Sequence, residues 1–301
     1  MTVAYSILIP TKDRPNLLRR AVLSALASDA PDGEVIVIDD HSRISARSAL
    51  ADIADQRLRI CAMPEGRTGV SAARNFGIAQ ARGAIVFFLD DDDEVKPEYC
   101  RLVLAQGISE CDYGFSAYLQ VSSGARRPAK PARVRFKTGP IPPDAPLRKQ
   151  LCGFGMGFWI WRSVAQQVGE ITTQLSINED TEYLCRLITA GKRGWYSATP
   201  GVIVYAHGAV ASDISNITAR TRSTERARCM LWLCDRYPEM VAHLGTSYIR
   251  HCVKTGAMAE AWAFARVQPD WQIRNRLKLF AATKVAAYWL VRGLGRSKVK
   301  A

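Results

Sequence analysis

Apolar runs alternate with segments of helical periodicity through the first 110 residues, and this order limits the possible folds more than any other feature of the chain. Short apolar runs predict strands, whereas apolar residues spaced three and four apart predict helices. A chain that alternates the two forms βαβ units, in which parallel strands are joined by helices that cover the sheet. The sequence therefore predicts an α/β fold with a mostly parallel central sheet.

The predicted elements are short and closely spaced. The predicted strands are Tyr5–Ile9, Glu34–Ile38, Leu58–Met63, Ala84–Leu89, Asp112–Gln120 and Val202–Tyr205, with another near Trp195. The predicted helices cover residues 17–26, 45–54, 70–81, 97–109 and 181–190, and the pattern is helical from Ile217 onward. The fourth strand is apolar without alternation, which indicates a central strand that is covered on both faces. Val121–Pro146, rich in proline, glycine and basic residues, is predicted as a loop.

The net charge of +13 is concentrated in two segments. Arg220–Ala301 holds 16 basic and 5 acidic residues, and Arg126–Lys149 holds 8 basic residues against Asp144 alone. The remainder of the chain is mildly acidic, so an anionic partner would meet the two basic segments. We expect one domain at residues 1–212, with halves at 1–120 and 147–212, and a basic helical extension at 213–301.

The cysteine pattern favours a reducing compartment. The eight cysteines include no C-x-x-C pair, and several lie within predicted strands or helices, so neither a zinc site nor a disulfide framework is indicated. The N-terminal apolar run is too short for a signal peptide. The longest stretch without Asp, Glu, Lys or Arg, Gly194–Ser212, contains proline and glycine, which argues against a membrane-spanning helix. These features predict a cytoplasmic protein.

Polar residues follow three of the predicted strands. Pro10–Arg14 follows the first strand, Asp39 and Asp40 follow the second, and the run Asp90–Asp93 follows the fourth. Since the carboxyl ends of parallel strands meet at one edge of a sheet, we expect these groups to share a cleft. Adjacent carboxylates repel each other by about 1 kcal/mol per pair in water and more when half-buried, so the run needs a counter-cation.

A divalent metal is the expected counter-cation. In an extended segment Asp90 and Asp92 point to the same side, while Asp91 faces elsewhere. Oxygen ligands suit Mg²⁺ or Mn²⁺, and these ions also bind substrate phosphates. The alternative is a solvated acidic turn that stabilises the start of the helix from Pro97.

Several motifs of this chain resemble those of the inverting glycosyltransferases of family 2, which have the GT-A nucleotide-sugar-binding fold. The motifs are Ser6–Arg14, Val37–Ser42, Gly69–Ile78, Ala81–Gly83, Phe88–Asp93 and Asn178–Asp180. The resemblance extends over about residues 5 to 210, and the order and spacing of the motifs support it more than any single motif does. It implies that residues 1–212 are a catalytic domain.

The activity that this resemblance implies is transfer of a sugar from a nucleotide diphosphate sugar, favouring a UDP-sugar. The acceptor would be a hydroxyl of a saccharide or of a lipid-linked molecule in polysaccharide biosynthesis. The implied donor-binding residues are Pro10, Thr11, Asp13, Asp40, Arg74, Asn75, Asp90 and Asp91. Asp40 would contact the base. Asp92 and His207 would bind the metal, and Asp180 would be the general base for the acceptor hydroxyl.

Structural alternatives exist for several of these residues. Arg74 is alternatively a surface arginine of its helix. Asp180 and its neighbour Glu179 alternatively stabilise the start of the helix at 181–190. Asp39 could equally be structural, and we expect Asp40 to be the contact. A single histidine such as His207 is usually not a ligand, and Ala206 stands where the family often has arginine.

A segment rich in glycine and aromatic residues, Gly153–Arg162, precedes the Glu-Asp pair. Aromatic rings stack on the faces of sugars and glycine permits close approach, which favours an acceptor site. A core strand explains Phe158 and Ile160 equally well, so Trp159 and Trp161 are open to either interpretation.

The C-terminal segment Trp271–Arg296 is basic and amphipathic. It predicts either a helix on an anionic membrane surface, peripheral on the inner face of the plasma membrane, or a helix that packs on the catalytic domain with a solvated basic face.

Three other functions fit the sequence less well. A nucleic-acid-binding protein would explain the charge, but no base-reading motif is present and an acidic rim repels phosphates, so no nucleic acid is expected as a partner. A sugar nucleotidyltransferase needs a glycine-rich turn after the first strand, and Pro10–Pro15 has no glycine. A non-catalytic carbohydrate- or membrane-binding relative would not need Asp90, Asp92 and Asp180 together.

Overall fold

The computed structural model describes residues 3–30, 32–106, 108–122, 130–131, 134–206 and 221–297. The chain divides into two compact units. The first is Met1–Gln174 with Glu179–Asn216, and the second is Leu175–Asn178 with Ile217–Ala301. The first unit contains the sheet, and the second is mainly helical.

The first unit alternates strands and helices in its N-terminal half. Its described strands are β1 Tyr5–Thr11, β2 Gly33–Asp39, β3 Leu58–Ala62, β4 Ile85–Phe88, β5 Glu94–Val95, β6 Tyr113–Ser122, β7 Lys130–Pro131, β8 Gly139–Pro140, β9 Trp159–Trp161 and β10 Gly194–Ala206. Its described helices are α1 Pro15–Leu26, α2 Ala46–Ala49, α3 Val70–Gln80, α4 Tyr99–Ala105, α5 Leu147–Gln150, α6 Arg162–Val168 and α7 Glu179–Thr189.

The described strands form one sheet in the order β3-β2-β1-β4-β9-β6-β10-β5, with β7 beside β6 and β8 beside β10. The longer pairings, β3 with β2, β2 with β1, β1 with β4 and β6 with β10, are parallel. The antiparallel pairings extend over only two or three residues each. The predicted α/β fold with a mostly parallel sheet is therefore confirmed.

Helices cover both faces of β1. Ile7 and Ile9 belong to the same apolar cluster as Leu18 of α1. Leu8 points to the opposite face and lies against α3, where a Cβ on Gly77 would come within 2.1 Å of its side chain. Burying a side chain of this size contributes about 1.5–3 kcal/mol, so this strand is central to the stability of the unit.

The strands β1, β2 and β4 end at the same edge of the sheet because they run parallel. The amide of Asp40, just after β2, donates to the carbonyl of Thr11 at 2.9 Å, and the amide of Leu89 donates to the carbonyl of Leu8 at 3.0 Å. The polar residues that follow the three strands are thereby brought to one edge, as ligand-binding residues are in open parallel sheets.

The helix predicted at residues 45–54 is a single turn in the structure. Asp39 Oδ2 accepts from the amide of Ala46 at 2.7 Å and fixes its start. The carboxylate of Asp55 accepts from the amide of Arg57 at 2.8 Å and turns the chain toward β3 before a second helical turn forms.

Two other predicted segments also differ. The helix predicted at 97–109 is α4, and the short 3₁₀ turn Ile108–Glu110 comes after it. The segment Val121–Pro146, predicted as a loop, contains the two-residue strands β7 and β8, which pair with β6 and β10. Such short pairings leave no periodic pattern in the sequence, so periodicity could not find them.

The second unit packs helices around an apolar centre. Its described helices are α8 Ser223–Arg236, α9 Val241–Thr255, α10 Met258–Arg266 and α11 Trp271–Ser297, with a 3₁₀ turn at Pro238–Met240. The fully buried side chains include Cys229, Leu233, Met240, Ile249, Ala261, Leu277 and Ala281. Within the described ranges, no helix combines the length and the hydropathy that a bilayer crossing requires.

Candidate active site

A tight turn of four aspartates follows β4. The amide of Asp93 donates to the carbonyl of Asp90 at 3.1 Å, so the run is folded back rather than extended. As a result, carboxylate oxygens of Asp90, Asp92 and Asp93 all lie within 4.8 Å of one another. The pairing of Asp90 with Asp92 was expected from an extended segment. Asp93 was missed, because only a turn brings residues i and i+3 together.

Asp91 faces away from this cluster, as the alternation predicted. Its Oδ2 accepts from the hydroxyl of Thr11 at 2.6 Å, and its Oδ1 accepts from Arg14 at 2.7 Å. Burial raises the pKa of Asp91 to about 6, although Arg14 and Thr11 oppose the rise. Both of its oxygens are thus used to tie the acidic turn to the end of β1, so its prediction as a donor contact has no direct support.

Arginines supply part of the counter-charge that the sequence argument assigned to a metal. Arg14 also pairs with Asp92 at 3.2 Å, and Arg74 pairs with Asp90 at 2.8 Å. A metal ion would therefore not be the sole source of positive charge at the acidic run. Arg14 lies 77 residues before Asp91, and Arg74 lies in α3, 16 residues before Asp90. The residue pattern therefore did not reveal these pairs.

The charge at Asp93 is the least compensated of the cluster. Burial, and then the neighbouring Asp90, raise the pKa of Asp93 to about 8. Its Oδ1 accepts from the amide of Tyr205 in β10 at 2.9 Å. Three converging carboxylates, of which Asp93 has a raised pKa, fit an oxygen-binding divalent cation such as Mg²⁺ or Mn²⁺.

Arg74 joins the acidic turn to the start of α7. Its side chain is 6% exposed, and it donates to Asp90 Oδ1 and to Glu179 Oε1 at 2.8 Å each. The guanidinium also lies over the ring of Phe154 at 4.8 Å. The alternative of a surface arginine is excluded by this burial. Asp90 Oδ1 and Glu179 Oε1 are at most about 8 Å apart, because one planar guanidinium bonds to both of them.

Asp180 follows Glu179 at the N-terminus of α7. Its Oδ1 accepts from the amide of Thr181 at 2.6 Å. Burial, and then the adjacent Glu179, raise the pKa of Asp180 to about 7. A carboxylate with such a pKa can take up a proton near neutral pH, as a general base must.

Two glycines lie against these carboxylates. A Cβ on Gly155 would come within 2.6 Å of Asp90 Oδ2 and 3.2 Å of Asp93 Oδ2, and a Cβ on Gly153 would lie 3.3 Å from Asp180 Oδ2. The two glycines belong to one turn, since the amide of Met156 donates to the carbonyl of Gly153 at 3.0 Å. The main chain of this turn therefore lies between the two groups of carboxylates.

The carboxylates of Asp39 and Asp40 are used differently. Asp39 is structural, because its Oδ1 accepts from the amide of Ser42 and its Oδ2 accepts from the amide of Ala46. Asp40 Oδ2 accepts from the amide of Gly69 at 2.9 Å and from Lys12 at 3.2 Å. Asp40 Oδ1 is buried and has no hydrogen-bond partner among the described residues. Such an orphaned acceptor is expected where a ligand supplies the donor.

The remaining predicted donor-binding residues lie near this edge or within the fold. Pro10 is the second-last residue of β1 and is buried. Asp13 has a positive φ of 56° and accepts from the amide of Arg43 at 2.8 Å. Asn75 pairs with the main chain of Ile171 through both ends of its amide, at 2.8 Å each. Asn75 thus fixes the segment after α6, a structural role that the sequence pattern did not indicate.

Two other predictions have different outcomes. His207 lies outside the described residues, so its assignment as a metal ligand stays a prediction. Trp159 is fully buried in β9, and a Cβ on Gly114 would clash with its ring, so it is a core residue. Trp161 is partly buried and donates from Nε1 to the carbonyl of Cys111 at 2.8 Å. The two tryptophans are therefore structural.

Comparison with known proteins gives a family and a fold. The family described as Glycosyl transferase family 2 matches residues 6–169. The succinoglycan biosynthesis protein ExoO of Rhizobium meliloti is 41% identical over 85 residues, which are 28% of this chain and 24% of that protein. The GalNAc(5)-diNAcBac-PP-undecaprenol beta-1,3-glucosyltransferase of Campylobacter jejuni is 36% identical over 92 residues, 30% of each chain. These matched stretches thus span less than a third of either relative.

A solved structure resembles the whole chain. The crystal structure of S. aureus TarS 1–349 in complex with UDP-GlcNAc superposes with a TM-score of 0.70 at 14% identity, covering 98% of this chain and 92% of that chain. At this identity the likeness shows the fold alone, and it confirms the predicted GT-A architecture with additional C-terminal helices.

Proposed function

We propose a reaction from one premise: the chain belongs to glycosyl transferase family 2. The proposed activity is metal-dependent, inverting transfer of a sugar from a nucleotide diphosphate sugar to a hydroxyl group in polysaccharide biosynthesis. The observation that carries the proposal is the bridge from Asp90 through Arg74 to Glu179, which sets the acidic turn beside Asp180. In the proposed reaction this arrangement sets a place for a diphosphate beside a base.

The orphaned Asp40 Oδ1 supports a uracil nucleotide as the donor. A carboxylate oxygen can only accept a hydrogen bond, so it selects a base that presents an N–H group. Uracil presents one imide N–H flanked by two carbonyl oxygens, and Lys12, which already contacts Asp40, would donate to one of them. Guanine also presents N–H groups, so a GDP-sugar is the competing donor. That TarS was crystallised with UDP-GlcNAc agrees with the first choice.

Asp90, Asp92 and Asp93 would hold a Mg²⁺ or Mn²⁺ ion at the diphosphate, and His207 remains a proposed additional ligand. When bound, such an ion stabilises the negative charge of the departing diphosphate. Arg14 lies beside Asp92 and carries fixed positive charge at the same place.

Asp180 would take the proton from the acceptor hydroxyl. The acceptor oxygen forms a bond to the anomeric carbon while the bond from that carbon to the diphosphate oxygen breaks, and the proton passes to Asp180. Attack from the side opposite the leaving group inverts the anomeric centre. Arg74, through Glu179, holds the start of α7 so that Asp180 faces the donor. The turn at Gly153 and Gly155 lies against the carboxylates of both groups, where a larger side chain would not fit at Gly155.

The acceptor is proposed to be a saccharide or a lipid-linked saccharide. The glucosyltransferase of Campylobacter jejuni is named for an undecaprenol-linked acceptor, and ExoO is named for succinoglycan biosynthesis. Each aligned stretch is short, so these names support the class of acceptor and not its identity. A lipid-linked acceptor would place the work at a membrane surface, and we propose a peripheral location there.

The test is a screen of nucleotide sugars by thermal stabilisation with Mn²⁺. A donor present at about 100 times its dissociation constant adds about 2.7 kcal/mol to the free energy of unfolding. We expect UDP-sugars to stabilise the wild-type protein and the Asp180→Asn variant, and only the wild type to release UDP. If no nucleotide sugar stabilises the protein in the presence of Mg²⁺ or Mn²⁺, the proposal fails. Binding without UDP release by the wild type, with any tested acceptor, would instead support a non-catalytic relative.

A further inference from the structure

The helix α11 has one face in the core of the second unit. Leu277 and Ala281 are fully buried, and a Cβ on Gly245 of α9 would lie 3.1 Å from the side chain of Leu277. Tyr288 continues the same face, since residues spaced by four and seven lie on one side of a helix. This packing accounts for only one side of α11.

The opposite face of α11 is apolar and exposed. Leu279, Trp289 and Leu290 are 69%, 59% and 66% exposed. Ala282 and Ala286, also exposed, lie between them at spacings that keep all five residues on one face. Three turns of a helix thus present an apolar strip that nothing in the described part of the second unit covers.

Positive charge lies on both sides of this strip near Leu279. The sequence of α11 contains no aspartate or glutamate. Its basic residues are Arg274, Arg276, Lys278, Lys284, Arg292 and Arg296. Arg276 and Lys278 flank Leu279 on the two sides of the strip by helical position. An apolar strip with tryptophan at one end and cations along its edges matches a surface of anionic lipids, in which acyl chains meet the strip and headgroups meet the cations.

The charge also argues against a second copy of this chain as the occupant. Two such faces placed together would bring Arg276 and Lys278 of each copy, four like charges, into one interface, and these would repel. We infer that the strip formed by Leu279, Ala282, Ala286, Trp289 and Leu290 is the docking face of α11 on an anionic phospholipid bilayer. This inference rests on the proposed function, because a lipid-linked acceptor is what would make a bilayer the working surface.

The experiment measures binding of the full chain to vesicles by flotation. Vesicles contain either phosphatidylglycerol with phosphatidylcholine or phosphatidylcholine alone. The test variant is Leu279→Ser with Leu290→Ser. The matched control is Ile44→Ser with Val267→Ser, which removes two apolar side chains that are 58% and 73% exposed elsewhere. All four positions are exposed, so both variants should keep the melting temperature of the wild type.

We expect the wild type and the control to bind the anionic vesicles, with weaker binding as salt rises and little binding to phosphatidylcholine alone. The test variant should partition at least about tenfold less. The inference is overturned if the wild type does not float, or if the test variant floats as well as the control does. It is also overturned if light scattering shows a wild-type dimer without vesicles that the test variant loses, because the strip would then be an interface between copies.

A second measurement separates this inference from the proposed function. Release of UDP from a UDP-sugar is followed in solution without vesicles. If flotation fails while UDP release persists, the docking face alone is wrong. If the wild type floats and the test variant does not, while neither releases nucleoside diphosphate, the docking face stands and the proposed reaction is wrong.

Discussion

The guanidinium of Arg74 donates to Glu179 at 2.8 Å, although 105 residues separate the two in the chain. The same guanidinium donates to Asp90, so one buried side chain sets the acidic turn after β4 against the start of α7. In the proposed reaction these two elements carry the donor and the base. Arg74 is therefore a positioning residue, because it acts through its two carboxylate partners.

The variant Arg74→Lys tests this role. Lysine keeps the charge, but its single ammonium cannot hold both carboxylates in the fixed geometry of a guanidinium. We expect kcat to fall by about 10- to 100-fold, because displacing a base by about 1 Å slows proton transfer to this degree. The KM for the donor should change much less. Steady-state kinetics with the identified UDP-sugar measure both values.

The control for this variant is Arg19→Lys. Arg19 also makes two bonds to one carboxylate, that of Asp52, but this pair is on the exposed side of α1. Exposed pairs contribute little to stability, so Arg19→Lys should leave kcat unchanged. An Arg74→Lys protein with wild-type kcat would show that the bridge does not position the base.

A second prediction concerns Asp180→Asn. Burial and Glu179 raise the pKa of this carboxyl to about 7 in the folded protein, whereas an aspartate in the unfolded chain keeps its usual pKa of 3.8. Because its pKa is raised on folding, this carboxyl binds more protons in the folded state than in the unfolded state. The stability of the folded protein therefore falls as pH rises from about 4 to about 7 and stays low above that. Asparagine removes this penalty, and its Oδ1 can still accept from the amide of Thr181.

We therefore expect Asp180→Asn to abolish turnover and yet to raise the free energy of unfolding by about 1–4 kcal/mol at pH 8.5. The gain should shrink as pH falls and vanish near pH 4. Urea unfolding at several pH values measures it. A gain that is constant with pH would mean that the variant stabilises through packing, and a loss at pH 8.5 would contradict a raised pKa.

The sequence predicted the sheet because parallel β-strands with covering helices leave a pattern of apolar residues. The predicted direction of Asp91 agrees with the structure, although the alternation of an extended segment, on which it was based, does not hold in this turn. Asp93 was missed because a turn, not a strand, follows β4. Arg14 and Arg74 were not identified as partners of the acidic turn, since contacts across 77 and 16 residues between different elements leave no local pattern.

The outcome at Asp39 and Asp40 shows the same limit. Adjacent aspartates after a strand are equivalent in sequence, and only the structure shows that Asp39 caps the turn into α2 while Asp40 keeps one oxygen without a partner among the described residues. The expectation that Asp40 is the contact is consistent with this arrangement. Its role in binding a base stays a prediction.

A third prediction separates these two residues. In Asp40→Asn the amide nitrogen replaces either Oδ1, where it is a donor instead of an acceptor, or Oδ2, where it cannot accept from the amide of Gly69. We expect binding of the UDP-sugar to weaken by about 10-fold or more, while the melting temperature stays close to that of the wild type. Asp39→Asn should instead lower stability and leave binding of the UDP-sugar nearly unchanged. It breaks one of two bonds to backbone amides at the start of α2, which lowers stability by about 1–3 kcal/mol.

Isothermal titration with UDP and Mn²⁺, together with thermal unfolding, measures both effects for each variant. If Asp40→Asn binds UDP like the wild type, the base is bound elsewhere. Equal losses of binding for both variants would mean that the effect comes from disruption of the loop after β2.

The last prediction concerns Gly155→Ala. The new Cβ would lie 2.6 Å from Asp90 Oδ2, closer than real Cβ contacts allow, and Arg74 restrains that carboxylate from moving aside. Either the Asp90 carboxylate breaks its bond to Arg74 and turns, or the glycine turn shifts, and both changes distort the oxygen cluster. We expect Mn²⁺-dependent binding of the donor to weaken by at least about 10-fold. Titration of the donor at a series of Mn²⁺ concentrations measures this loss.

Gly194→Ala is the matched control. Gly194 is the first residue of β10, and its Cβ would clash to a similar degree, at 2.9 Å from Ile141 in the core. Both variants should lose stability, but only Gly155→Ala should lose the dependence of donor binding on Mn²⁺. If the two variants bind the donor equally well with Mn²⁺, the acidic turn is not the place where the metal and the diphosphate meet.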